Sequence, residues 1–199
     1  MKKRIGIFVY DDAEVLDFAG PFEVFSVTSQ LEDHSLAEVF ILAPEQEVIT
    51  AVNGLKIMPD YSIHHHPPID ILILSGGQGS KVVMNDSKVI EWIMRVHTSA
   101  EITLSICSGA RLLAKAHLLD HRPFCTHHEV YEHVLQLAPT AIACEDKRFV
   151  QSSDTLYTSG GISAGIDLSF FIVEKLWGAS RALTTSTYME YHRHGQAAL

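Results

Sequence analysis

Apolar residues fall in short unbroken blocks at 4–10 (RIGIFVY), 37–43 (AEVFILA), 70–75 (DILILS) and 101–106 (EITLSI). Blocks of this length, rich in Ile, Val and Leu with little polar alternation, predict strands buried on both faces. Between and after them, apolar residues recur at spacings of three and four, predicting helices over 21–30, 87–98, 108–118, 129–137 and 162–177. Strand and helix alternate, so the expected architecture is α/β, a mostly parallel sheet with helices on both faces. Gly20-Pro21 puts proline where a first helical turn tolerates it, and Asn85, Asp86 and Ser87 are N-cap choices for the helix that follows. Asn53-Gly54 predicts the turn of a β-hairpin within 44–60, and Ser153-Asp154 a second, weaker hairpin over 148–159.

Composition narrows the picture. The 199 residues are 47% hydrophobic and 20% charged, enough apolar material for one compact domain over 1–199. The net charge of −9 and the lack of any basic run beyond the opening KKR argue against nucleic-acid binding by this chain alone, and no DNA-binding domain is expected. The apolar run after residue 4 is too short for a signal-peptide core, and none approaches a membrane span, so a cytoplasmic location is expected. Three cysteines without a secretory signal suggest reduced thiols.

Cys107 sits at the corner between the strand ending at 106 and the helix from Ser108. That is the place of the nucleophile in an elbow motif, with Ser105 and Gly109 where G-x-S-x-G elbows carry glycine. Unpaired amides at a helix start favour a thiolate and can hold developing negative charge. Equally, a thiol at an apolar strand end is an ordinary core residue. Two further stretches bear on the choice. SGGQGS (75–80) directly follows a strand, where open α/β sheets bind ligands and glycine lets the backbone approach closely. Asp17 lies among Val15, Leu16 and Phe18 just before the predicted helix, as an N-terminal cap or as a proton donor of raised pKa.

Taken together and in order, LDFAGPFEVF, LILSGGQG, ICSGARLLAKAHLLD, CTHHEVYE and YTSGGISAGIDLSFFIVEKLWG resemble the DJ-1/PfpI (ThiJ/PfpI) superfamily of class I amidotransferase-like folds. Within it the chain looks most like isonitrile hydratases and the sensing domains of AraC-type regulators. The resemblance implies a flavodoxin-like three-layer sandwich, usually a homodimer, with a small-molecule substrate and no cofactor. It places Cys107 as the nucleophile and Asp17 as the acid beside its sulfur. Ser108 falls where isonitrile hydratases carry threonine, and the amides of Gly76, Gly77 and Ser108 match an anion-binding hole. His127 stands where a glyoxalase-like branch has a histidine near the site. Ser108 is not the histidine that follows the cysteine in the protease-like branch, and EYHRHGQ (190–196) lacks the His-Pro-Glu of glutamine amidotransferases.

The implied activity is hydration of an isonitrile to an N-substituted formamide through a Cys107 thioimidate. The alternatives are a ligand- or redox-sensing module and glyoxalase-like action on small dicarbonyls. His64, His65 and His66 are consecutive on a Pro-bounded loop and cannot all face one ion, so no metal site is expected. Cys125 and Cys144 read as core thiols, and Phe170, Phe171, Ile172, Leu176 and Trp177 as core or dimer-interface residues.

Overall fold

The computed structural model describes residues 1–193. In chain order, β1 (Lys3–Phe8) leads to α1 (Val15–Gln30), β2 (Ala37–Ala43), the short strands β3 (Ile49–Thr50), β4 (Lys56–Ile57) and β5 (Tyr61–Ser62), and then β6 (Ile71–Leu74). Next come α2 (Ser80–Val83), α3 (Ser87–Ser99), β7 (Ile102–Ile106), α4 (Ala110–Lys115), β8 (Pro123–Phe124) and α5 (Tyr131–Leu137). The chain continues through β9 (Ile142–Ala143), β10 (Phe149–Gln151), β11 (Leu156–Ser159), α6 (Ala164–Trp177) and α7 (Ala179–Tyr188).

Seven strands form one sheet in the order β10-β11-β7-β6-β1-β2-β5, parallel except where β10 runs against β11. The central strands explain the unbroken apolar blocks: all four residues of β6 and all five of β7 are buried. Helices cover both faces, as the flavodoxin-like expectation requires. On one side α1, α6 and α7 pack together, and Gly20 of α1 meets Ile166 of α6 so closely that a side chain there would lie 2.8 Å from its Cγ1. On the other side α2 and α5 pack on α4, while Trp92 of α3 packs at a tilt on Phe8 of β1 with ring centroids 5.1 Å apart. Phe170 and Ile172 are fully buried, Phe171 packs on Phe149, and Trp177 meets Phe25 edge-on, so this stripe belongs to the core of the chain itself.

Both hairpins form. Ile49 pairs with Ile57 across a turn in which Asn53 and Gly54 have φ of 64° and 88°, the left-handed conformations that favour Asn and Gly. Phe149 pairs with Ser159 in the second hairpin.

The short elements α2, β5, β8 and β9 are not in the sequence pattern, and three larger differences bear on the site and its packing. Helix α1 begins at Val15 rather than at Pro21, which now stands inside it. The missing Pro N–H costs one intrahelical bond, and burial of Phe18, Val24 and Phe25 against the sheet and α6 outweighs it. The helix expected from Ser108 opens as a 3-10 turn over Cys107–Gly109 and ends at Lys115, two residues before His117 turns to φ 58°. Helix α7, absent from the pattern reading, is mostly polar and exposed, and seats Ala182, Thr185 and Ser186 against α1 and α6. The EYHRHGQ stretch runs past the described residues from His194 onward.

Candidate active site

The carboxyl ends of β1, β6, β7 and β11 converge where a parallel α/β sheet opens into loops. Cys107 occupies the turn after β7 with φ 54°, a left-handed conformation strained for a residue with a Cβ. Two clamps hold it there. The Cys107 N–H donates to Gly160 O at 3.1 Å, and the buried Thr126 hydroxyl donates to Cys107 O at 2.7 Å. Gly109, two residues on, lies so close to β6 that a Cβ would come within 2.4 Å of Leu74 O. The corner is therefore closed by its neighbours; Ser105, where the elbow pattern has glycine, is fully buried and its Oγ has no partner among the described residues.

The glycine pair is needed for a different reason. A Cβ on Gly76 would sit 2.6 Å from Ser108 N, 2.7 Å from Asp17 Oδ2 and 2.9 Å from Cys107 Cβ, so three site groups converge on this one α-carbon. Gly77 has φ 117°, and a Cβ there would lie 2.2 Å from Asp12 O. Close approach lets the loop after β6 zip to the loop after β1, with the Glu14 N–H donating to Gly76 O at 3.0 Å and Ala13 bridging Gly77.

Asp17 lies in the first turn of α1 and caps nothing; Glu14 is the N-cap residue. Its carboxyl has no exposed surface. Gly76 N–H donates to Oδ2 at 3.0 Å, while Oδ1 has no partner among the described residues. Burial pushes this acid up to about 7, opposed by the Gly76 amide and by the Cys107 thiol beside it. The thiol is also buried. Loss of water and then the Asp17 charge push it up to about 12, against lowering by the Ser108 and Ile162 amides. The helix-start amides expected to favour a thiolate are present, and burial outweighs them.

Ser108 is placed differently from an exposed co-catalyst. Its Oγ accepts from Gly77 N–H at 2.8 Å and donates to Gly77 O at 3.0 Å, with Ser80 Oγ 3.4 Å away. The Gly76 and Gly77 amides thus bond to Asp17 and Ser108, and the amides that lower the Cys107 pKa are those of Ser108 and Ile162. Ile162 was missed in the sequence. It belongs to the GGISAG loop and has a φ of 52°, and its amide lowers the pKa of both Cys107 and Asp17. Thr126 and Arg111 were missed as well; nothing in their local sequence distinguishes them from core or surface residues. His127 packs against Gly161 of the same loop, its Nδ1 accepts from Glu129 N–H at 3.3 Å, and it bonds to neither Cys107 nor Asp17.

The other candidates separate from the site. Cys125 donates to Thr158 O at 3.1 Å in the core, and Cys144 is partly exposed. His66 accepts from Trp92 Nε1 at 2.9 Å while His64 faces Glu45. No helix among the described residues is long and apolar enough to cross a membrane.

The sequence model of the DJ-1/PfpI family matches residues 3–175. An isonitrile hydratase of Pseudomonas putida is 27% identical over 191 residues, covering 96% of this chain and 79% of that protein. The HTH-type transcriptional regulator GbdR of Pseudomonas aeruginosa is 24% identical over 191 residues, which span 96% of this chain and 51% of the regulator. The crystal structure of a ThiJ/PfpI family protein from Pseudomonas syringae superposes with a TM-score of 0.87 at 24% identity, over 99% of this chain and 78% of that one.

Proposed function

Because the chain belongs to the DJ-1/PfpI family, we propose that it is a cysteine-dependent enzyme acting on a small molecule, hydrating an isonitrile to an N-substituted formamide. The observation that carries this reading is Asp17, a buried carboxyl with one oxygen unpartnered, held against a thiol with which it exchanges influence over protons. An isonitrile carbon must receive both a nucleophile and a proton, and this pair supplies both.

In the state with one proton on the pair, Cys107 passes it to Asp17 as the sulfur bonds to the terminal carbon. Asp17 then protonates that carbon, leaving a thioimidate and a free carboxylate. Asp17 next takes a proton from water as the hydroxide adds to the carbon, and that proton goes to nitrogen. The C–S bond breaks, the hydroxyl proton returns to Asp17, and the formamide leaves. The Ser108 and Ile162 amides support negative charge on sulfur throughout, and Ser108 Oγ fixes the Gly77 turn. No step requires a metal or organic cofactor. The family expectation of a homodimer is part of this reading.

A second reading is a ligand-sensing module, supported by the alignment with GbdR over nearly the whole of this chain. Glyoxalase-like action is less supported, since His127 touches neither member of the pair. Turnover of cyclohexyl isocyanide to its formamide by the wild type, with Cys107→Ala and Asp17→Asn inactive, is the expected result. A wild type that binds the isonitrile without turning it over replaces the enzyme by the sensor.

A further inference from the structure

Arg111 projects from the first turn of α4 and is 4% exposed. A guanidinium so buried normally faces a carboxylate. Here its Nε donates to His133 Nδ1 at 2.9 Å and its Nη1 to Ser80 Oγ at 2.8 Å, and among the described residues no carboxylate lies within ion-pairing distance. Ser80 continues the chain: its Oγ donates to Gly77 O at 2.7 Å and stands 3.4 Å from Ser108 Oγ, the hydroxyl that holds the Gly77 amide. The cation is thus linked by hydrogen bonds to the turn facing Cys107.

We propose that Arg111 is the fixed counter-charge of the site, a buried cation left without a carboxylate so that its field stabilises negative charge formed on Cys107. Arg111 makes no contact with the sulfur, so it is a positioning residue acting through the field and through the Ser80–Ser108 link. The charged and titratable groups that act on this region are Tyr10 after β1, Asp17 in α1 with Glu14 acting on it, Lys81 of α2, and His133 of α5. Desolvation lowers the Arg111 pKa, while the negative charges that Tyr10 and Cys107 can carry raise it, so the site favours the cation when the thiolate forms. The role deepens the proposed function, yet it concerns thiol reactivity and is measurable without turnover.

The test is the rate of Cys107 alkylation by iodoacetamide, localised by mass spectrometry so that Cys125 and Cys144 do not contribute. Arg111→Gln keeps a donor for Ser80 and removes the charge; Arg111→Lys keeps the charge and removes the fork. Loss of the charge raises the thiol by about one pH unit, which cuts the thiolate fraction about tenfold. The more basic thiolate recovers part of this, leaving alkylation about fourfold slower in Arg111→Gln at every pH on the rising limb. Arg111→Lys stays within about twofold of wild type, since a charge at this site keeps most of the field. Wild-type rates in Arg111→Gln, or equal slowing in both variants, overturn the counter-charge role.

Should Arg111→Gln fail to fold, the comparison moves to the Asp17→Asn background. There iodoacetate reacts at least as fast as iodoacetamide, relative to free cysteine, if the cation governs the site; a slower anionic reagent overturns the proposal. A dead isonitrile assay with the alkylation shift intact removes the proposed function and leaves this role standing.

Discussion

Replacing Asp17 with Asn tests the central electrostatic claim without altering shape. Burial raises this acid from 3.8 to about 7. The native state therefore holds its proton more tightly than the unfolded chain does. Stability from this group is complete below pH 3.8, declines as pH rises, and is gone once pH passes about 7. A shift of about three pH units corresponds to about 4 kcal/mol, an upper figure because water entry softens the penalty. Asn cannot ionise, and its carbonyl still accepts from Gly76 N–H. Urea unfolding of both proteins across about pH 4 to 8.5 gives the difference curve. Other groups, such as His97 and His133, whose pKa values burial lowers, contribute equally to both proteins and cancel. Asp17→Asn should match the wild type near pH 4 and exceed it by up to about 4 kcal/mol near pH 8. A flat difference curve would falsify the assignment of a buried, high-pKa carboxyl and remove the proton donor from the mechanism.

The same proton makes kcat/KM rise with pH around 7, because the carboxylate must accept from the thiol; steady-state rates on cyclohexyl isocyanide check this, and an ascending limb near 4 contradicts it. Gly76→Ala forces a Cβ to 2.6 Å from the Ser108 backbone nitrogen, so a loss of about 2 kcal/mol in urea unfolding and of most activity is expected. Thr126→Val removes one of two donors to the Cys107 carbonyl, the other being the Ala110 N–H, and costs about 0.5–1.5 kcal/mol; an unchanged thermal midpoint means that the φ 54° turn is held by other contacts. Ser108→Ala loses both bonds to Gly77 and should lower kcat about tenfold while the protein stays folded, as circular dichroism would report.

The sequence by itself determined the strand blocks, because β6 and β7 are buried on both faces and their composition declares it without any partner being known. It also determined both hairpins, whose turns depend on local chemistry at Asn53-Gly54 and Ser153-Asp154. It marked Cys107, Asp17 and the glycine pair, since each departs from what its apolar surroundings would otherwise carry. Tertiary structure alone decided where α1 begins, because burial of Phe18 against the sheet and packing against α6 override the local preference of Pro21 for a first turn. It alone brought Thr126 to the Cys107 carbonyl, the Ile162 amide to the sulfur and Arg111 to Ser80, each across a long span of chain. It also set the protons of the pair: local helix amides favour a thiolate, whereas the loss of water around Cys107 and Asp17 arises only when distant segments close over them. Desolvation is a property of the whole packed site, which no window of neighbouring residues contains.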